Sequence, residues 1–167
     1  MTVWFLYSDG FPNSPEGFIL SHFNEKYYLR IKDMRDMQVF DPLRKKYVRL
    51  TPEEKVRQNV IAWLEQEWEV PLTLMSSEWA FTFNGMQYRA DVVVFDRGLQ
   101  PLMLVECKSP DVPIDRTVVD QVIRYNLSLK VKYILITNGK SSYLCGRNPE
   151  TEQYEFLDRI PKYEQML

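Results

Sequence analysis

The chain has 167 residues, of which 45% are hydrophobic and 14% aromatic, enough for one globular domain with a substantial core. Its formal net charge is −2, so it lacks the overall basic field typical of many DNA-binding domains. No apolar run approaches the ~20 residues of a membrane span, the single histidine (His22) has no His or Cys neighbours for a zinc site, and Cys107 and Cys145 fit a reduced, cytoplasmic protein.

The first quarter of the chain contains short, weakly marked segments. Residues 1–25 fit either an extra strand or a partner-binding arm, and residues 26–32, 37–40 and 47–50 are predicted to be strands. The densest basic cluster follows the turn at Asp41 and consists of Arg44, Lys45, Lys46 and Arg49. A charge run of this kind is more often a solvated loop. The functional alternative is a patch that contacts phosphates.

A strong helix start follows at Thr51. Thr51 is the predicted N-cap, Pro52 takes the first helical position, and Glu54 completes a capping box. The apolar residues that follow have helical spacing, and the helix is predicted to end before Pro71. Glu54 therefore has a sufficient structural role, against which any catalytic role must be weighed.

The centre of the chain predicts an antiparallel meander of three strands, at about residues 76–83, 87–95 and 102–108. Asn84-Gly85 is a specific hairpin signal for the first connection. Residues 96–101 form the second turn, with Gly98 in its middle. Glu78 lies on the first strand, where its side chain faces either the site described next or solvent.

The second hairpin brings charged residues together at one end. If Asp96 faces Pro101, the register pairs Val94 with Met103, Val92 with Val105, and Asp91 with Glu106. Lys108, two residues beyond Glu106, shares its face. The two carboxylates need a neutralising partner, which is Lys108, a shared proton, or a metal ion such as Mg²⁺ or Mn²⁺. The structural alternative is a salt-bridged strand end.

The last third predicts a crossover from strand to helix to strand. Asp115 caps a helix that places Gln121 and Tyr125 one turn apart. Residues 133–137 then form a strand that pairs parallel to the meander, and residues 142–145 form another. Residues 147–167 are predicted to be a polar tail with a short final helix. The predicted class is α+β (α/β): a mixed central sheet flanked by helices, in one domain spanning residues 1–167.

Ala90-Asp91 and Glu106-Cys107-Lys108, in this order of elements, resemble the PD-(D/E)XK nuclease superfamily, with Ala90 where the family commonly has proline. A wider likeness covers about residues 30–146. Its segments read DPLRKKYV, LTPEEKVRQ, LVECK, DQ with RYN, and TNG. Together they resemble the N-terminal nuclease domain of type I restriction enzyme R subunits, in its short stand-alone form.

The resemblance implies a restriction-endonuclease-like core and a role for each matching residue. Asp91 and Glu106, with the Cys107 backbone carbonyl, would bind Mg²⁺ or Mn²⁺, and Lys108 would orient or help to deprotonate the attacking water. Glu54 would complete the metal shell, and Gln121 with Tyr125 would contact the site or substrate. The residues expected to contact nucleic acid are Arg44, Lys45, Lys46, Arg49, Arg57, Arg89 and Tyr125.

Two functions from different classes follow. The first is a metal-dependent deoxyribonuclease of a restriction or repair system. The second is a catalytically silent module that binds nucleic acid or a protein partner. The expected partners are DNA and a restriction-system subunit or helicase motor, and a homodimer is plausible because many single-site nucleases pair to cut both strands.

Overall fold

The computed structural model describes residues 37–159 and 161–167. The strands predicted within residues 1–7 and 26–32, the N-terminal arm and His22 lie outside these ranges. The elements in chain order are β1 (Gln38–Asp41), β2 (Lys46–Arg49), α1 (Pro52–Gln66), a 3₁₀ turn (Leu72–Leu74), β3 (Met75–Phe83), β4 (Met86–Phe95), β5 (Pro101–Cys107), α2 (Arg116–Asn126), β6 (Tyr133–Thr137), β7 (Ser142–Arg147), β8 (Tyr154–Leu157) and α3 (Tyr163–Met166).

The strands form two sheets. A six-stranded sheet has the order β3-β4-β5-β6-β7-β8, and β1 and β2 form a separate hairpin. The predicted parallel pairing is confirmed, since β5 and β6 run parallel while the other neighbours in the large sheet are antiparallel. Helix α2 supplies the crossover that a parallel pair requires. The α+β class with a mixed central sheet is therefore confirmed.

The central strands are covered on both faces. Val92, Val94 and Val105 pack with the apolar residues of α1 on one face. Val93 and Leu104 pack with those of α2 on the other. Burial on both faces explains why β4 and β5 read as almost continuous apolar runs with charges only at one end.

The two hairpins of the meander follow the predicted turns, with one difference. Asn84 and Gly85 have φ values of 50° and 75°, as expected for the two central residues of a type I′ turn. In the second hairpin, the predicted pairs Val92 with Val105 and Val94 with Met103 are confirmed. Pro101, however, pairs with Phe95 across a bulge. The reason is that the Asp96 carboxylate accepts the amides of Gly98 and Gln100 and closes the turn itself.

The start of α1 is confirmed, but the capping box is wrong. Thr51 accepts the amide of Glu54 at 3.0 Å and is the N-cap. The Thr51 amide donates to the Arg49 carbonyl, so the Glu54 carboxylate is not its partner. This carboxylate contacts Arg44 and Arg57 instead. The two arginines attract the Glu54 carboxylate more strongly than one backbone amide does. Glu54 therefore does not have the capping role that the sequence predicts.

The predicted polar tail is part of the sheet. Its strand β8 extends the sheet beyond β7, and the Tyr154 hydroxyl donates to the Val131 carbonyl at 2.6 Å. The final helix is confirmed as α3, which buries Tyr163 and Met166 in the α1 side of the core. Within the two described ranges, every helix is too short or too polar to cross a membrane.

Candidate active site

The candidate site begins at a break in the pairing of β3 with β4. The bridges of this pair pass from Ser77/Val92 to Trp79/Ala90 and skip Glu78 and Asp91. Glu78 has a φ of 52°, and Ala90 and Val93 pack on the same side of the sheet although they are three residues apart. The side-chain alternation is therefore interrupted at Asp91, with one residue unpaired on each strand and no shift of register. The Asp91 side chain is thereby directed toward helix α1.

Asp91 is held by groups from two other elements. Its Oδ1 accepts Arg57 Nη2 of helix α1 at 2.7 Å. Its Oδ2 accepts the backbone amide of Cys107, at the end of β5, at 2.7 Å. The backbone of Cys107 thus lies against Asp91, while the metal-binding role of its carbonyl stays a prediction.

Glu106 and Lys108 form the second half of the site. Lys108 Nζ donates to Glu106 Oε1 at 2.7 Å, with 30% and 22% of the two side chains exposed. Burial and the charge of Asp91 raise the pKa of Glu106, against the opposing effect of Lys108. Burial lowers the pKa of Lys108, but its hydrogen bond to Glu106 and the charges of Glu106 and Asp91 together outweigh this, and the pKa lies above its usual value. The charge of Asp91 thus acts on Glu106, but the pairs of β4 with β5 extend only to Val92 with Val105, so the pairing of Asp91 with Glu106 stays a prediction.

Glu54 joins the site through a chain of charged hydrogen bonds. Its carboxylate is buried, at 7% exposure, and accepts Arg44 Nη2 at 2.6 Å, Gln58 Nε2 at 2.8 Å and Arg57 Nη1 at 2.9 Å. Arg57 binds Glu54 with one terminal nitrogen and Asp91 with the other. Helix α1 therefore reaches the strand ends through Arg57.

Arg44 belongs to the same network. Its guanidinium contacts Asp41, Glu54 and Glu78, the last at 3.2 Å. Glu78 also contacts Arg57 and Arg89, so of the two positions left open for it, the structure selects the one that faces the site. The phosphate contact of Arg44 stays a prediction, and three carboxylates already engage its side chain. The other predicted DNA contacts in this hairpin, Lys45, Lys46 and Arg49, are exposed.

The cluster is not electrically balanced. Among the described residues, six carboxylates, on Asp41, Glu53, Glu54, Glu78, Asp91 and Glu106, face four cations, on Arg44, Arg57, Arg89 and Lys108, which leaves two negative charges. The sequence alone did not indicate that Asp41 or Gln58 belongs to this cluster. Arg57 was expected to contact nucleic acid. The available signal was the spacing of Glu54, Arg57 and Gln58 on one helix face.

Helix α2 faces the site across a cavity of about 240 Å³. Glu106 and Lys108 line it from the sheet, and Gln121 and Tyr125 line it from the helix. Gln121 Nε2 lies 2.8 Å from the Tyr125 hydroxyl, the contact expected for residues one turn apart. The structure thus brings these two residues to Glu106 and Lys108, on the side of the sheet opposite α1.

The family model described as type I restriction enzyme R protein N terminus matches residues 52–161. The chain belongs to this family. A solved fragment of an HsdR subunit of a type I restriction enzyme from Vibrio vulnificus YJ016 is similar to this R-protein N-terminal domain, with a TM-score of 0.50 and 24% sequence identity. The match covers 70% of this chain and 24% of that one, so the domain spans about a quarter of its relative. At this identity the likeness shows the shared fold. No curated protein matches the chain.

The donor atoms of this R-protein domain suit a hard divalent cation. Two carboxylates in a cluster with surplus negative charge provide the oxygen ligands that Mg²⁺ and Mn²⁺ prefer. Among residues 37–159 and 161–167, no group of three or more His, Cys, Asp or Glu side chains is arranged to hold a metal ion. Mg²⁺ is often held by only one or two carboxylates and completes its shell with water. The donor set of Asp91 and Glu106 therefore fits such an ion.

The two carboxylates are expected to respond differently to loss of charge. Without metal, Asp91→Asn lowers the free energy of unfolding by about 1–3 kcal/mol, because Arg57 loses a charged hydrogen-bond partner. Glu106→Gln leaves stability unchanged or raises it, because a carboxyl group with a raised pKa destabilises the fold when it is ionised. Urea unfolding at pH 7 with chelator measures both, and two changes of the same sign would contradict this account.

Proposed function

We propose that this domain hydrolyses phosphodiester bonds in DNA with the help of Mg²⁺ or Mn²⁺, as the nuclease part of a restriction system. The observation that carries the proposal is that Asp91 accepts the backbone amide of Cys107, while the residues on either side of Cys107, Glu106 and Lys108, form a hydrogen-bonded ion pair. Two carboxylates that repel each other can bind a divalent cation, and an ammonium group beside them can bind a phosphate. Membership of the R-protein N-terminal family supports the same chemistry.

A bound divalent ion would activate water and neutralise charge on the phosphate. The residues of the domain supply the rest. Lys108, which is partly exposed, donates to a phosphate oxygen and stabilises the charge that develops there. Arg57 and the Cys107 amide fix both oxygens of Asp91, and Glu54 in turn fixes Arg57. Accurate positioning of this kind supplies much of the rate in reactions with few chemical groups.

The β1–β2 hairpin would guide DNA to the site. Arg44, in its turn, contacts Glu54 directly, so the hairpin lies against the carboxylate cluster. Lys45, Lys46 and Arg49 offer positive charge there, which can contact successive phosphates. In a chain whose net charge is −2, attraction for DNA has to come from such a local patch.

The proposal is tested by cleavage of linear duplex, supercoiled and single-stranded DNA in Mg²⁺ or Mn²⁺. The wild type is expected to cut at least one of these forms, and Glu106→Gln, which should fold as well as the wild type, is expected to lose at least about 100-fold in rate. Asp91→Ala should be inactive as well. Chelator-sensitive cleavage that persists in both variants would place the metal site elsewhere.

One observation favours the catalytically silent alternative. Both oxygens of Asp91 and one oxygen of Glu106 already accept hydrogen bonds from groups of the domain itself. A site saturated in this way serves equally well as a rigid structural centre beneath a DNA- or partner-binding surface. This alternative predicts salt-dependent DNA binding, no cleavage, and no rise in unfolding temperature when Mg²⁺ is added.

A further inference from the structure

The cavity between the sheet and α2 contains a buried polar group that the proposed chemistry does not use. Asn126, at the end of α2, lines this cavity and is 4% exposed. Its Nδ2 donates to the Val122 carbonyl at 2.7 Å. Its Oδ1 is buried and has no hydrogen-bond donor in the part of the chain that the structure describes. Buried acceptors are almost always satisfied in folded proteins, so an unsatisfied one beside a cavity indicates a missing donor.

The same cavity has an aromatic wall. Phe81 and Tyr88 of the β3–β4 hairpin stack with ring centroids 5.8 Å apart. Tyr88 in turn stacks on Tyr125 of α2 at 4.8 Å, and all three residues line the cavity. Unpaired bases stack on such rings in proteins that bind single strands, and here a base would enter by displacing one of these ring-to-ring contacts.

The cavity shares two residues with the proposed catalytic site. Glu106 and Lys108 belong to its lining, and Arg89, whose side chain is 64% exposed, contributes to the lining as well. A nucleotide whose phosphate lies at Lys108 would have its base within reach of the aromatic wall. The volume of about 240 Å³ is below the range of about 300–1,000 Å³ for drug-sized ligands, and suits one planar ring system.

We propose that this cavity is a subsite for one unpaired nucleobase of a DNA strand, stacked on the wall of Phe81, Tyr88 and Tyr125 and donating a hydrogen bond to Asn126 Oδ1. The inference rests on the proposed nuclease function, because that function places a phosphate beside Lys108. The acceptor selects bases that present an exocyclic amino group, such as cytosine, over thymine, whose corresponding edge presents a carbonyl. The preferred substrate then has single-stranded or unpaired character.

The test measures binding in the presence of a chelator, so that no strand is cut. Fluorescence anisotropy compares short labelled oligo(dC), oligo(dT) and a blunt duplex of equal length. The wild type is expected to bind oligo(dC) about 5–10-fold more tightly than oligo(dT), which is the value of one good hydrogen bond. Asn126→Leu, which keeps the side-chain size, should remove this preference and leave duplex affinity unchanged.

Two further measurements separate a binding role of Asn126 from a structural one. The unfolding midpoint of Asn126→Leu should stay the same or rise, because the substitution removes an unsatisfied buried acceptor. Asn59→Leu, the same substitution in α1 on the other side of the sheet, should keep the preference for oligo(dC). A lower midpoint with equal losses for all three DNA forms would overturn the subsite and make Asn126 a packing residue.

Failure of the subsite and failure of the nuclease proposal have different signatures. A wild type that cleaves DNA but binds oligo(dC), oligo(dT) and duplex equally retains its nuclease function, and the subsite is overturned. If the wild type cleaves nothing but prefers oligo(dC), and Asn126→Leu lacks this preference, the base site is supported and the nuclease proposal is overturned. Equal binding of all three forms without cleavage overturns both.

Discussion

We expect Arg57→Ala to lower the free energy of unfolding by about 3–5 kcal/mol, the usual cost of removing one member of a buried ion pair. Only 6% of the Arg57 side chain is exposed, and it bridges Glu54 and Asp91. Burial lowers the pKa of this guanidinium, but the charges of Asp91 and Glu54 more than compensate for it. Without Arg57, two carboxylates keep their burial and lose a shared cation. Urea unfolding at pH 7 with chelator measures the change.

Two variants sharpen this experiment. Arg89→Ala removes the same side-chain type from the same network, but from an exposed position 3.7 Å from Glu78, and should cost less than about 0.5 kcal/mol. Arg57→Met keeps the packing of the stem and removes only the charge. If Arg57→Met is as stable as the wild type, the guanidinium does not hold the carboxylates together, and packing explains the loss in Arg57→Ala.

Mg²⁺ gives the same variants a second readout. A cation that binds only the folded state raises its stability by mass action. If Asp91 is a metal ligand, Mg²⁺ should raise the unfolding temperature of Arg57→Met more than that of the wild type, because the competing positive charge has gone. A smaller rise in the variant would mean that Arg57 assists metal binding instead of competing with it.

Local sequence signals predicted the meander and its register. Asn84-Gly85 requires a specific turn geometry, and once the next hairpin closes near residues 96–101, period-two alternation pairs Val92 with Val105. The same alternation predicts that Asp91 and Glu106 share a face, but it is interrupted at Asp91, which contacts Arg57 of α1, whereas Glu106 lines the cavity on the α2 side. The bulge at Pro101 was missed because it depends on where the Asp96 side chain directs its hydrogen bonds.

The arginine network could not be predicted in the same way. Arg44 lies in a run of basic residues that reads as a solvated loop, and its partner Glu54 belongs to a different element. Arg57 and Asp91 are 34 positions apart, so only tertiary packing shows that they meet. The missed strand β8 is different, because the alternation of Tyr154, Glu155 and Phe156 was a usable strand signal inside a polar segment.

The largest effect on activity is expected at Lys108. Under the proposed function, Lys108→Met lowers the cleavage rate at saturating DNA by about 100–1,000-fold, the usual effect of removing one preorganised donor to developing negative charge. DNA affinity should change little, because the side chain acts mainly in the transition state. The side chain is 30% exposed, so the fold should survive, as circular dichroism would show.

The assay has to separate loss of the donor from loss of metal. The Lys108 hydrogen bond lowers the pKa of Glu106, so Lys108→Met leaves that carboxylate harder to ionise and weaker as a ligand. Rates are therefore measured over a series of Mg²⁺ concentrations up to saturation. Lys108→Arg, which keeps the charge in a wider, planar head group, should recover part of the rate. Full recovery of Lys108→Met at high Mg²⁺ would show that Lys108 only tunes Glu106, and that another group stabilises the phosphate.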